Sequence, residues 1–135
     1  MLKIVDLEKT YTLEHGEVPA LRGISFEVNE GDFFTLLGPS GSGKSTAMRC
    51  VAGLEFPQAG EIYIDGECVY SSAKNIQVPP DRRPIGMVFQ SYAIWPHMTV
   101  SGNVSFPLVY GSRDAQPSRQ AVREAVREAL DLVQM

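Results

Sequence analysis

Residues 38 to 46 read GPSGSGKST, nine positions with three glycines, four hydroxyl side chains, one lysine and nothing apolar larger than proline. Backbone this bare suits the wrapping of a polyphosphate by main-chain N–H groups. Glycines accept the positive φ angles of an anion-binding nest, and no side chain blocks the approach. Gly38, Gly43, Lys44 and Ser45 satisfy the G-x-x-x-x-G-K-[ST] spacing of a P-loop. The predicted phosphate-contacting set is Gly38, Pro39, Ser40, Gly41, Ser42, Gly43, Lys44, Ser45 and Thr46. A helix opening near Gly43 would aim unsatisfied N–H groups and its positive dipole end at the same phosphates. Lys44 adds a point charge for the outer phosphates, and the Ser45 hydroxyl suits a Mg2+ ligand position. A glycine turn that merely capped a helix would need one glycine and have no use for Lys44.

The flanking patterns supply what such a loop needs. FFTLL, residues 33 to 37, is short and apolar throughout, as expected of a strand covered on both faces of a parallel sheet. Beyond the lysine, STAMRCVAGL reads as a helix ending at a left-handed cap on Gly53. LKIVDLEKTY and ISFEV alternate like half-buried strands, with GEVPALRG as a connection between them. GEIYIDGECVY predicts a hairpin turning at Asp65-Gly66. SSAKNIQVPPDRRP, residues 71 to 84, reads as an irregular loop, and IGMVF, 85 to 89, as a second buried strand ending at Gln90. In the following stretch TVSGNV has the chemistry to open a short helix. From about Pro117 onward Ala121, Val122, Ala125, Val126, Ala129, Leu130 and Val133 share one helical stripe.

Composition narrows the partners. The chain has 135 residues, 44% hydrophobic, with net charge -4 from 12 basic and 16 acidic side chains. There is no basic field to hold nucleic acid. Cys50 and Cys68 read as free thiols. No apolar run approaches the length of a membrane span, and the N-terminal residues alternate where a secretory signal would be continuously apolar.

Three further stretches decide among the many chemistries a P-loop serves. They are Tyr11 through LRGISFEVNEGDFFTLLGPSGSGKST, then MRCVAGLEFPQAGEIYIDG, then PPDRRPIGMVFQSYAIWPHMTVSGNVSFPL. In order and spacing the chain resembles the ATP-binding cassette subunits of ABC transporters, most of all bacterial importers of the polyamine, ferric-iron and sugar groups. The resemblance implies an α/β fold: a P-loop NTPase core fragment (33–54 and 85–90), an antiparallel β subdomain (1–32 and 61–70) and the start of a helical subdomain with the Q-loop (91–135). It implies binding and, in the complete subunit, hydrolysis of Mg-ATP to drive solute import, with ATP and Mg2+ as cofactors.

Carried onto this sequence, the resemblance makes Tyr11 the platform for adenine, though an aromatic at a strand end is on its own more often core. It makes Gln90 the Q-loop glutamine, catalytic with Lys44 and a metal ligand with Ser45; alone, Gln90 would read as a polar strand end. The loop from Gln90 to Met98, with Tyr92, Trp95 and Pro96, becomes a groove for the transmembrane permease subunits, core packing being the alternative for Trp95. A second cassette would complete a dimer on the cytoplasmic side of the membrane. His97 is expected at the partner surface or packed locally. Arg82 and Arg83 read as a solvated pair, and Glu124 and Arg127 as a weak helical pair.

Hydrolysis also needs an acidic residue at the metal and a group that positions water. Asp65 ends an apolar alternating run, but its place in a hairpin turn argues against that role. The signature segment, the Walker B strand and the switch histidine of the family are expected to lie beyond these residues, which leaves the 135-residue chain inactive alone. Two other readings remain: a nucleotide-binding module without turnover, and a small P-loop kinase with Arg82 and Arg83 in its lid.

Overall fold

The computed structural model describes residues 1–14, 16–91, 93–111 and 117–134. They fall into two compact units, Met1–Met87 and Val88–Met135.

The first unit is built on five antiparallel strands in the order β2-β1-β3-β4-β5. These are β1 (Leu2–Leu13), β2 (Gly16–Val28), β3 (Ala59–Ile64), β4 (Glu67–Ser71) and β5 (Ile76–Gln77), with helix α1 (Lys44–Ala52) between β2 and β3. Ile4, Leu7, Leu21, Ile62, Ile64, Val69 and Tyr70 from the strands meet Ala47 and Cys50 of α1 in one buried cluster. Both cysteines are free thiols, and burial pushes the Cys50 thiol up to about 11.

The expected connection GEVPALRG is instead strand: β2 starts at Gly16 and pairs Leu13↔Gly16 through Leu2↔Val28. Pro19 is tolerated because among the described residues β2 is the edge of the sheet, where no further strand needs its missing N–H. The expected irregular loop 71–84 holds the short β5 and a turn of 3-10 helix at Pro80–Arg82. The Asp65-Gly66 hairpin forms as the sequence predicts, with φ of 50° and 82° at its two turn residues.

The larger departure concerns FFTLL and IGMVF, neither of which forms a strand. A strand buried on both faces exists only where neighbours supply its ladder and cover it. Among the described residues the sheet is entirely antiparallel and pairs with neither segment. Phe33, Leu37 and Val88 are consequently 97%, 88% and 95% exposed. Phe34 gains partial cover by stacking on Phe26, ring centroids 5.0 Å apart.

A bulge in β1 sets the geometry of everything downstream. Strict alternation would put Ile4 and Tyr11 on opposite faces. Asp6, at φ 44°, interrupts the pairing between Ile4 and Leu7, so that Ile4 and Leu7 both enter the core. Lys9 and Tyr11 follow Leu7 at two-residue steps and so come onto the α1 side.

On β3 and β4, the Glu61 carboxylate accepts from the Tyr63 hydroxyl at 2.6 Å and the Ser71 hydroxyl at 2.8 Å, and pairs with Lys74 at 3.2 Å. These contacts, led by Tyr63, lower the Glu61 pKa from its ordinary 4.5 to about 2. A depressed carboxylate stabilises the fold fully above its unfolded pKa and ceases to as pH falls through the folded one. The advantage of wild type over Glu61→Gln in urea unfolding is therefore expected to be constant above pH 5 and to shrink between about pH 4.5 and 2. A difference that stays flat through that window would contradict the cluster.

The second unit pairs α2 (Val100–Tyr110) with α3 (Arg119–Leu132). Thr99 and Ser118 are their N-caps, accepting from Gly102 N–H and Ala121 N–H. The helix predicted from TVSGNV thus forms and runs on through Pro107. Along the predicted α3 stripe Val126 is buried and Val122, Ala125 and Leu130 are half-buried, while Val133 is 62% exposed. The expected Glu124–Arg127 pair gives way to other contacts: Gln120 Nε2 donates to Glu124, and Arg127 pairs with Asp131 at 3.9 Å. Among the described residues no helix is long and apolar enough to cross a membrane.

Candidate functional site

The phosphate loop leaves β2 through residues 29–37 and closes on α1. Gly43, at φ 89°, is the N-cap and has no side chain to cap with. The first helical bond is Ala47 N–H to Gly43 O at 2.8 Å, which leaves the N–H groups of Lys44, Ser45 and Thr46 at the open end without intrahelical partners. At the other end Gly53 is left-handed and caps Arg49 and Cys50 carbonyls, as the sequence predicts.

The loop's own lysine closes over it. Lys44 Nζ donates to Gly38 O at 2.8 Å, Pro39 O at 2.6 Å and Ser42 Oγ at 3.2 Å, folding its ammonium back over the loop. Three neutral acceptors satisfy the cation, and phosphate oxygens in the same place would hold it more strongly, because charge-assisted hydrogen bonds are the stronger kind. Ser40, Gly41, Ser42 and Ser45 are exposed at the mouth. Thr46 is half-buried and accepts a long contact, 3.5 Å, from the Tyr11 hydroxyl. Tyr11, brought to this side by the bulge, therefore stands beside the first turn of α1. Val18 faces Tyr11 across the β1–β2 ladder and is 48% exposed, extending its apolar surface.

Asp65 belongs elsewhere. Its carboxylate accepts from the Met1 ammonium at 2.6 Å at the hairpin turn, an ion pair that raises the pKa of the amine.

Arg83 corrects the reading of a solvated pair: Arg82 is exposed, but Arg83 is 5% exposed. Its guanidinium donates to Cys50 O at 2.8 Å, Val51 O at 2.7 Å and Val78 O at 2.9 Å, with Val69 O at 3.5 Å. A cation thus closes the C-terminal, negative end of α1, the helix that carries the phosphate loop at its other end.

Gln90 belongs to the second unit and is exposed, at the head of the loop that runs to Met98. Tyr92 lies outside the described residues. Trp95 is 47% exposed, with Phe106 at 5.6 Å and His97 edge-on at 6.0 Å. His97 thus packs locally. Asn103, which sequence reasoning passed over, fastens this loop to α2. Its amide donates to Trp95 O, Met98 O and Thr99 O at 3.0 to 3.3 Å and accepts from Trp95 N–H at 2.8 Å.

An antiparallel sheet packed on a helix that opens from a glycine-rich loop with P-loop spacing fits a fragment of an α/β P-loop NTPase fold. The chain matches the ABC transporter family over residues 21–135 and belongs to it. It is 48% identical over 134 residues to the trehalose/maltose import ATP-binding protein MalK of Thermococcus litoralis, covering 99% of this chain and 35% of that one. It is 43% identical to the spermidine/putrescine import ATP-binding protein PotA of Legionella pneumophila, covering 98% and 33%. The alpha-glucoside transport ATP-binding protein AglK of Rhizobium meliloti is also 43% identical, covering 99% and 33%. The chain spans about a third of the length of these relatives. Among solved structures, a dimeric ATP-binding cassette in a post-hydrolysis state bound to ADP and Pi superposes with a TM-score of 0.81 at 31% identity. That match covers all of this chain and 58% of the cassette.

Proposed function

We propose that the chain is the nucleotide-binding part of an ABC importer ATPase. The observation that carries this is Lys44 bonded back to its own loop at the open N-terminus of α1, with Tyr11 against the same helical turn. Phosphates would take the loop amides and the Lys44 ammonium, and adenine would lie on Tyr11 and Val18. Mg2+, when bound, neutralises phosphate charge; the Ser45 hydroxyl is the residue of the loop suited to hold it. In hydrolysis Lys44 stabilises charge on the transferred phosphoryl group, and Gln90 is the amide that senses the nucleotide. The loop from Gln90 to Met98, held by Asn103, docks on the permease subunits, and a second cassette completes the dimer at the cytoplasmic face of the membrane. The names of the relatives as import ATP-binding proteins and the dimeric cassette support both assignments.

Titration with Mg-ATP tests the site. Base stacking contributes on the order of 1–3 kcal/mol, so Tyr11→Ala is expected to weaken binding about ten- to hundredfold. Lys44→Ala, which removes a charge-assisted contact, is expected to fall in about the same range. An unchanged affinity in the first variant rejects the base platform; in the second it rejects the loop.

A further inference from the structure

The strand that carries Tyr11 outruns its sheet on one side. The last β1–β3 pair is Glu8↔Ala59, three residues short of the ring. Beyond it a side chain continues the ladder. Gln58 N–H donates to Glu8 O at 2.8 Å, then the Gln58 amide accepts from Thr10 N–H at 2.9 Å and donates to Thr10 O at 2.8 Å. A primary amide offers the same donor and acceptor as a peptide unit, so Gln58 supplies one more rung.

Lys9, two residues before Tyr11 on the same face, reaches the segment that follows α1. Its Nζ donates to Phe56 O at 2.8 Å and lies 3.4 Å from Glu55 Oε2, with the side chain only 13% exposed. In that position the ammonium lies over the Tyr11 ring, 5.0 Å from its centroid.

We propose that Lys9 and Gln58 are positioning residues that fix Tyr11 as a one-sided stacking platform. Gln58 holds the backbone of Thr10, Lys9 covers one face of the ring, and the opposite face is left for a planar base. The inference rests on reading Tyr11 as the base platform, and it makes the ligand a phosphate chain bearing a flat heteroaromatic ring rather than a polyphosphate alone. Both residues tie the platform to the chain just after α1, so the base contact and the phosphate loop are referred to the same helix.

The test compares the affinity of the full chain for Mg-ATP with that for inorganic tripolyphosphate, which offers the phosphate contacts without a base. Lys9→Met keeps the apolar stem and removes the cation; Gln58→Ala removes the rung. Each is expected to weaken ATP binding about two- to tenfold while leaving tripolyphosphate within about twofold. Lys9→Arg, which keeps a cation for the ring and donors for Phe56 O, is expected to restore most of the ATP affinity. Equal losses for both ligands would mean general damage to the site and overturn the proposal. So would unchanged ATP affinity in Lys9→Met and Gln58→Ala while Tyr11→Ala loses it. If Tyr11→Ala itself keeps its ATP affinity, the platform reading fails first and the clamp falls with it.

Discussion

Gly43→Ala is expected to lower Mg-ATP affinity by about a thousandfold, more than any other single change in the loop. Two independent reasons converge on this residue. Its φ of 89° lies where an L side chain is strained, at a cost of about 1–2 kcal/mol. A Cβ there would also stand 2.3 Å from the backbone oxygen of Ala20 and 3.0 Å from Leu21 Cδ2. Neither neighbour can yield cheaply, since Ala20 is in β2 and Leu21 is in the core. The loop must therefore shift away from β2, and amides aimed at phosphate lose bonds that are worth about 1.5–3 kcal/mol each when the acceptor is charged. Together these reach about 4 kcal/mol, which is about a thousandfold. Gly41→Ala is the control: its φ is 79°, but a Cβ there meets nothing within 4 Å. Only strain remains, and a loss of about five- to thirtyfold is expected. Titration of both variants separates the contributions, and equal losses would show that contact with Ala20 is not what fixes the loop.

Arg83→Ala is expected to remove about 3 kcal/mol of stability from the first unit, a large part of the 5–15 kcal/mol that holds an ordinary domain. Three carbonyls at 2.7 to 2.9 Å lose a charged donor, and Cys50 O at the end of α1 is among them. Gly53 makes the arrangement feasible. A Cβ at that left-handed position would lie 2.7 Å from Arg83 Nε, so glycine both ends the helix and leaves room for the guanidinium. The cation meets no carboxylate in these bonds, and burial lowers its pKa. Its fixed fork of donors spans several carbonyls at once, which a lysine ammonium cannot do. Arg83→Lys is therefore expected to recover less than half of the loss. Urea unfolding followed by far-UV circular dichroism is the suitable measurement, because the single tryptophan, Trp95, belongs to the other unit. A midpoint equal to wild type would mean that Arg83 is solvated after all.

Local chemistry was legible wherever the residues that decide it are neighbours in the chain. GPSGSGKST specifies a glycine-rich turn into α1 because positive φ, bare backbone and a reaching lysine are properties of those nine residues. Asp65-Gly66 specifies its hairpin and Gly53 its helix end for the same reason, and both form as read. The stripe on α3 forms in part: Val122, Ala125, Val126 and Leu130 are buried or half-buried, while Ala121, Ala129 and Val133 are exposed. In contrast, the sequence reads Arg83 as solvated and singles out neither Lys9 nor Gln58. Their partners stand 33, 47 and 48 positions away, and no local pattern announces them.

The sequence by itself determined the glycine-rich loop, its helix and the family, because these rest on residue types at short spacing. Only the tertiary structure decided which face Tyr11 occupies and whether FFTLL and IGMVF become strands. A bulge at Asp6 reverses the alternation, and a central strand exists only through the neighbours that pair with it. Face and pairing are relations between distant segments, and they are fixed when those segments pack.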